Sequence, residues 1–183
     1  MTVTYEQLVG LWGADGVLHF PVDRFDDVLG PIRPEIFPPN GAFPTDVPIL
    51  FTVDVAVEGM ELFSKLRIEI GDAGPRTYLV LGSSPEDGHL LYRLDTLTGG
   101  VALLDLESPN FEQVNSTFAA FVEFLYRLEQ LMENDPGDRE RAARAAAIRA
   151  DLMRVDPSAF TDPESWWSMA FGQLESTGQG RSA

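Results

Sequence analysis

Cysteine is absent from the 183 residues, which excludes disulfides, thiolate chemistry and cysteine-ligated zinc sites. Histidine is almost absent, with only His19 and His89. Basic residues are scarce, 13 against 29 acidic ones, and the net charge is −16. Such a field argues against nucleic acid or an anionic membrane as a partner. It suits a basic protein partner, or simply a solvated acidic surface. No run of about 20 apolar residues occurs, and no charged-then-apolar leader opens the chain. The expectation is a soluble cytoplasmic protein. A phosphate-cradling Gly-Lys-Ser/Thr loop, a nucleophile elbow and the HExxH spacing are all missing.

What is present suffices for one domain with a proper core, since 44% of the residues are hydrophobic. Charge is unevenly spread. Up to Asn115 there are 18 acidic and 6 basic residues, and from Ser116 onward 11 and 7. The first part therefore carries most of the field. Residues 1–134 read as an α+β core and 135–183 as a helical extension packed on it, its last residues frayed.

The stretch Thr77–Phe118 organises the chain. Thr77–Leu81 is rich in β-formers and stops at Gly82-Ser83-Ser84-Pro85. Leu90, Tyr92 and Leu94 alternate with Leu91, Arg93 and Asp95, the period of a strand. Thr98-Gly99-Gly100 can turn the chain into a returning strand, Val101–Leu106. Upstream, Ile49–Glu58 alternates cleanly, and Leu66, Ile68 and Ile70 alternate with Lys65, Arg67 and Glu69. These patterns predict a mostly antiparallel sheet of about five strands with short connections.

Helices flank it. Thr4-x-x-Gln7 is a capping box with Val3 and Leu8 as its hydrophobic staple, predicting a short helix to about Leu11 that Gly13 stops. Phe118, Phe121, Val122, Leu125, Leu128 and Met132 recur at three and four, predicting a helix over Ser116–Glu133 capped by Asn115 or Ser116. Glu123, Arg127, Gln130 and Glu133 fall on its wet side. Asp135-Pro136, Asp156-Pro157 and Asp162-Pro163 each offer a cap followed by a residue pre-set for a first helical turn. They bound helices over Asp138–Met153 and Asp162–Leu174. The stretch Pro21–Pro48 holds seven prolines and reads as a packed irregular segment with one helical turn around Asp23–Leu29. It can shape a binding groove or cover a sheet edge.

Candidate chemistry is sparse. Ser83 or Ser84 with His89 could be assembled with a carboxylate, but nothing supplies an oxyanion site or orients the base. Ser83-Ser84-Pro85 is better explained as turn chemistry. Five arginines, Arg139, Arg141, Arg144, Arg149 and Arg154, share a helix with Glu140 and Asp151, which predicts intrahelical ion pairs rather than a basic patch. Asp54, Glu58, Glu61, Asp72, Glu86 and Asp87 fall on strands or turn tips. They are the expected partner-binding surface, with no catalytic residue, metal or cofactor assigned.

Five motifs occur in order: Leu8–Gly13, Leu79-Val80-Leu81-Gly82, Asp95-Thr96-Leu97-Thr98-Gly99-Gly100-Val101, Val114–Phe121 and Asp162-Pro163-Glu164-Ser165-Trp166-Trp167. Their order and separations resemble the SUKH superfamily of immunity proteins, most closely its fourth subfamily. The resemblance implies an α+β domain with a sheet flanked by helices. It also implies a non-enzymatic antidote that binds and blocks a polymorphic toxin domain, often a nuclease or nucleic-acid deaminase and hence basic. An acidic sheet half would complement such a surface. The alternative is a regulatory module of the same fold that binds a protein or peptide.

Overall fold

The structure is a computed structural model that describes residues 3–29, 34–69, 74–108, 110–133 and 137–176. The capping box forms as the sequence predicts. Gln7 N donates to Thr4 Oγ1 at 3.3 Å and Thr4 N to Gln7 Oε1 at 2.9 Å. Helix α1 spans Tyr5–Trp12 and ends at Gly13, whose φ of 72° suits glycine. Val3 and Leu8 both enter the core.

Strand β1 (Val17–His19) pairs antiparallel with β2 (Ala42–Pro44) in a small separate sheet. Between them the proline-rich segment makes a 3-10 turn over Val22–Phe25, a single helical turn α2 (Asp26–Leu29), and further 3-10 turns at Pro34–Ile36 and Pro39–Gly41. Aromatic packing holds this irregular backbone. Phe20 contacts the rings of Phe25, Phe37, Phe63 and Phe118 at centroid separations of 6.0, 5.1, 5.1 and 5.8 Å.

Among the described residues the main sheet has seven strands: β3 (Asp46–Val47), β4 (Phe51–Thr52), β5 (Lys65–Glu69), β6 (Pro75–Ser83), β7 (Leu90–Asp95), β8 (Val101–Asp105) and β9 (Phe111–Asn115). Every pairing is antiparallel. The order is β3-β4-β6-β7-β8-β9, with β5 also on β6. Two expectations need correction. The long strand over Ile49–Glu58 reduces to Phe51–Thr52, because β4 and β5 share one edge of β6. β5 takes Pro75 to Leu79, which leaves β4 only the Thr52–Ser83 pair. Gly82 permits that crossing, since a Cβ there would lie 2.2 Å from Thr52 O. The second correction is β9, a strand beyond Val101–Leu106 that the sequence patterns do not predict. It pairs with β8 from Leu104–Phe111 to Val101–Asn115.

The Asp95–Gly100 turn owes its composition to hydrogen bonding. Asp95 Oδ1 accepts Leu97 N at 2.8 Å and Thr98 N at 3.3 Å, and Gly99 takes φ 76°. A Cβ on Gly99 would collide with Ile36 Cγ2 at 2.0 Å.

Helix α3 (Phe118–Glu133) lies on the sheet, with Phe118, Phe121, Val122 and Leu125 buried alongside Leu79, Tyr92 and Val114 in one core. Its cap is Thr117, whose hydroxyl accepts Ala120 N at 3.0 Å, rather than Asn115 or Ser116. Glu123 is not on the wet side. It is 3% exposed, and its carboxylate accepts Val3 N at 3.1 Å and Arg127 Nε at 3.2 Å. Helix α4 (Asp138–Val155) packs on α3 and on α5 (Trp166–Ser176).

Of the three Asp-Pro pairs, Asp135-Pro136 lies outside the described residues, as does the tail after Ser176. The other two carboxylates do different work from that expected. Asp156 is buried and accepts Asn115 Nδ2 at 3.1 Å, Ser116 N at 2.7 Å and Ser158 Oγ at 2.6 Å. Asp162 bonds Glu164 N at 2.8 Å within a turn, and α5 starts later, at Trp166. There Glu112 of β9 accepts Trp166 N, a carboxylate at a helix N-terminus. Trp167 is buried and donates its indole N–H to Asn115 Oδ1 at 2.9 Å.

Candidate functional site

The residues with the best claim to nucleophilic chemistry are occupied elsewhere. Ser83 Oγ donates to Asp54 O at 2.6 Å, and Ser84 is 5% exposed. His89 instead faces Glu107, with Nε2 3.6 Å from its carboxylate. His19 Nδ1 sits 2.9 Å from Asn40 O. No group of three or more potential metal-ligating side chains occurs among the described residues.

The expected acidic surface divides. Asp54, Glu58 and Glu61 lie on the irregular link 53–64, and Glu86 and Asp87 on the β6–β7 hairpin, all exposed. The link meets the hairpin where Ser83 bonds Asp54 O and Gly88 sits against Ala56. Asp54 thus shares a sheet end with Glu86 and Asp87. Glu61 lies farther along, beside the Phe63 N to Val80 O bond of 2.7 Å. Asp72 lies outside the described residues. Among the described residues none of the five carboxylates has an ion-pair partner, and only Asp87 is engaged, accepting His89 N at 3.0 Å.

Three of the α4 arginines, by contrast, are compensated. Arg144 pairs with Glu140 at 2.7 Å, Arg154 with Asp151, and Arg149 with Glu175 of α5 at 3.4 Å. A polar cleft of about 490 Å³ between α3 and α4 is lined by Arg127 and Arg154, each already matched to a carboxylate. Its arginines therefore offer no unmatched positive charge to a ligand.

A second concavity differs in chemistry. About 240 Å³ in volume, it runs between the turn 47–50 and the C-terminal halves of α3 and α5. Its lining includes Ile49, Leu50, Leu128, Met132, Ala170 and Leu174. Ile49 has φ 72° and is 55% exposed. The turn is fixed by Leu50, whose N–H donates to Val47 O at 3.1 Å and whose carbonyl accepts Tyr92 Oη–H at 2.9 Å. Burial, then the nearby Glu112 carboxylate, raises the Tyr92 phenol pKa, so it stays a donor. Beside the groove, burial raises the Glu129 pKa, with Glu133 and Asp46 adding to it. Sequence reading missed this site. Its one local signal is Pro48, the last residue of the proline-rich segment, which precedes the alternation that begins at Ile49.

On the far face of the sheet Arg93 is fully buried between Tyr78 and Phe111, its guanidinium carbon 4.2 and 3.1 Å from the ring centroids. Tyr78 and Phe111 belong to strands three spacings apart, a span of roughly 14 Å in a flat sheet. Their rings lie 5.6 Å apart, so the sheet curls towards this face.

The motifs noted in the sequence thus have structural roles: the Asp95–Gly100 turn, the Asn115–Ser116 junction and the tryptophan pair hold the scaffold together. No helix among the described residues is long and apolar enough to cross a membrane. No curated protein and no solved structure matches the chain. Residues 3–173 match the family model described as SUKH-4 immunity protein. That match covers nearly the whole length, and the chain belongs to the SUKH-4 immunity protein family.

Proposed function

We propose that this protein acts in the cytoplasm as a non-enzymatic antidote, binding and blocking the toxin domain encoded beside its gene. We take that toxin to be a basic nuclease or nucleic-acid deaminase. The observation that carries the reading is uncompensated acidic charge. The chain has a net charge of −16, and Asp54, Glu58, Glu61, Glu86 and Asp87 are exposed without ion-pair partners among the described residues. A protein evolved to act on a polyanion presents cationic surface. The acidic side chains would speed encounter with it and favour it over other partners. Asp72 belongs to the same proposed field by its sequence position.

Co-expression of the full chain with that toxin domain tests the reading. Cell survival and co-purification of a stable complex are the expected results. Unrelieved toxicity with no complex would leave the regulatory protein-binding module as the better assignment.

A further inference from the structure

The toxin-binding reading leaves open which surface makes close contact, and long-range charge does not answer that. We propose that the apolar groove between the turn 47–50 and helices α3 and α5 is the docking site, and that it receives an apolar toxin side chain flanked by lysine or arginine. The inference rests on the immunity reading.

Three observations converge. First, Ile49 is β-branched yet sits at φ 72°, a conformation that favours glycine or asparagine. It is also 55% exposed. The strained backbone disfavours the isolated folded chain, and the half-exposed side chain recovers little by burial. Asparagine would remove the strain and the exposed apolar surface together. Isoleucine gains only if a partner covers it.

Second, the groove floor is apolar and adaptable. Leu128 and Met132 stand at i and i+4 on α3, and Ala170 and Leu174 at i and i+4 on α5, so two helical rows face one channel. Met132 is 38% exposed, and its flexible thioether can mould to an entering side chain.

Third, the charge beside the groove has one sign in excess. Glu129 and Glu133 are the next row on α3, one residue round from Leu128 and Met132, and Asp46 precedes the turn. None of the three has an ion-pair partner among the described residues. Glu129 Oε2 is buried with no hydrogen bond. The lining itself holds the cation Arg141, and the three carboxylates stand beside the groove rather than in it. A lysine or arginine arriving with the apolar side chain would supply the missing partner, whereas an acidic segment would be repelled.

The test titrates the full chain with the toxin domain by calorimetry, alongside co-expression survival. Ile49→Asn should keep or raise the melting temperature and weaken binding at least tenfold. Glu129→Gln relieves a carboxylate crowded by Glu133 and Asp46, so it too should raise the melting temperature while weakening binding several-fold. Because both variants are expected to fold at least as well as the wild type, lost affinity cannot be blamed on unfolding. Wild-type protection with both variants binding and protecting equally would overturn this surface and leave the immunity reading intact. A wild type that neither protects nor binds would overturn both. Ile49→Asn abolishing self-association while sparing toxin binding would assign the groove to a second copy of the chain and overturn the proposal.

Discussion

Trp167 and Asn115, 52 positions apart in the chain, share a buried hydrogen bond of 2.9 Å from indole Nε1 to amide Oδ1. The other end of the Asn115 amide donates to Asp156. One side chain at the end of β9 therefore joins the sheet to both the turn after α4 and helix α5. Asp156 is the costlier member to lose, because Asn115 Nδ2, Ser116 N and Ser158 Oγ all converge on it. Asp156→Ala should destabilise by about 3 kcal/mol, as unpaired buried donors do. A urea-denaturation cycle of Asn115→Ala and Trp167→Phe should show a coupling of about 1 kcal/mol. Additive effects would mean the bond contributes nothing.

Two glycines should respond oppositely to alanine. At Gly82 a Cβ meets Thr52 O at 2.2 Å and the Phe51 ring at 2.8 Å. Gly82→Ala must push β4 off β6, a loss of about 2–3 kcal/mol. Gly10 lies inside α1 with nothing within 4 Å. Gly10→Ala should stabilise by about 0.5–1 kcal/mol through helix propensity. Thermal melts of the two variants decide the matter.

Arg93 contributes an unusual pH dependence. Burial lowers its pKa to about 10 against the ordinary 12.5, while Tyr78 and Asp95 act in the opposite direction. None of its three guanidinium nitrogens has a hydrogen bond. Above about pH 10 the unfolded chain binds more protons at this position than the folded one, so stability from this group rises with pH towards the unfolded value. Arg93→Met keeps the packing between Tyr78 and Phe111 without the buried cation. It should be neutral or stabilise by about 1 kcal/mol at pH 7, and should remove the alkaline rise. Chemical denaturation at pH 7, 9 and 10.5 reads both effects. A large loss at pH 7 would show that the cation–π contacts outweigh desolvation.

Steering and docking should separate kinetically. Charge reversal at Asp54, Glu58 and Glu86 should slow association with a basic toxin by about 3–10-fold at low salt, with dissociation nearly unchanged. Substitution at Ile49 should act on dissociation instead. Stopped-flow binding at two ionic strengths distinguishes them. Salt-independent association would remove the steering role.

Local chemistry was legible and long-range placement was not. Thr4 and Gln7 announce their capping box within four residues, and the Asp95–Gly100 turn announces its hairpin, because each is closed by neighbours. β9 escapes notice because Glu112 and Gln113 stand where a strand pattern wants apolar residues. Glu112 is there to cap α5, more than fifty positions later. Glu123 reads as solvated until the N-terminal backbone of Val3 is seen to bond it, 120 positions away. The net charge was plain from composition, but the groove gathers residues 46–50, 128–133 and 170–174, which no local period relates.

The buried link from Asn115 to Asp156 and Trp167 also bears on when the fold is completed during synthesis. While the chain is being made, the sheet and α3 can emerge from the ribosome with Asn115 and Ser116 still lacking their partners. Those partners lie in the last third of the chain. At about 5–20 residues per second, the roughly 50 residues from Asn115 to Trp167 take about 3–10 s to synthesise. The apolar groove, part of whose wall is α5, is complete only after that interval. A truncated product ending before Trp166 would lack that wall, and Asn115 would keep its unpaired amide oxygen.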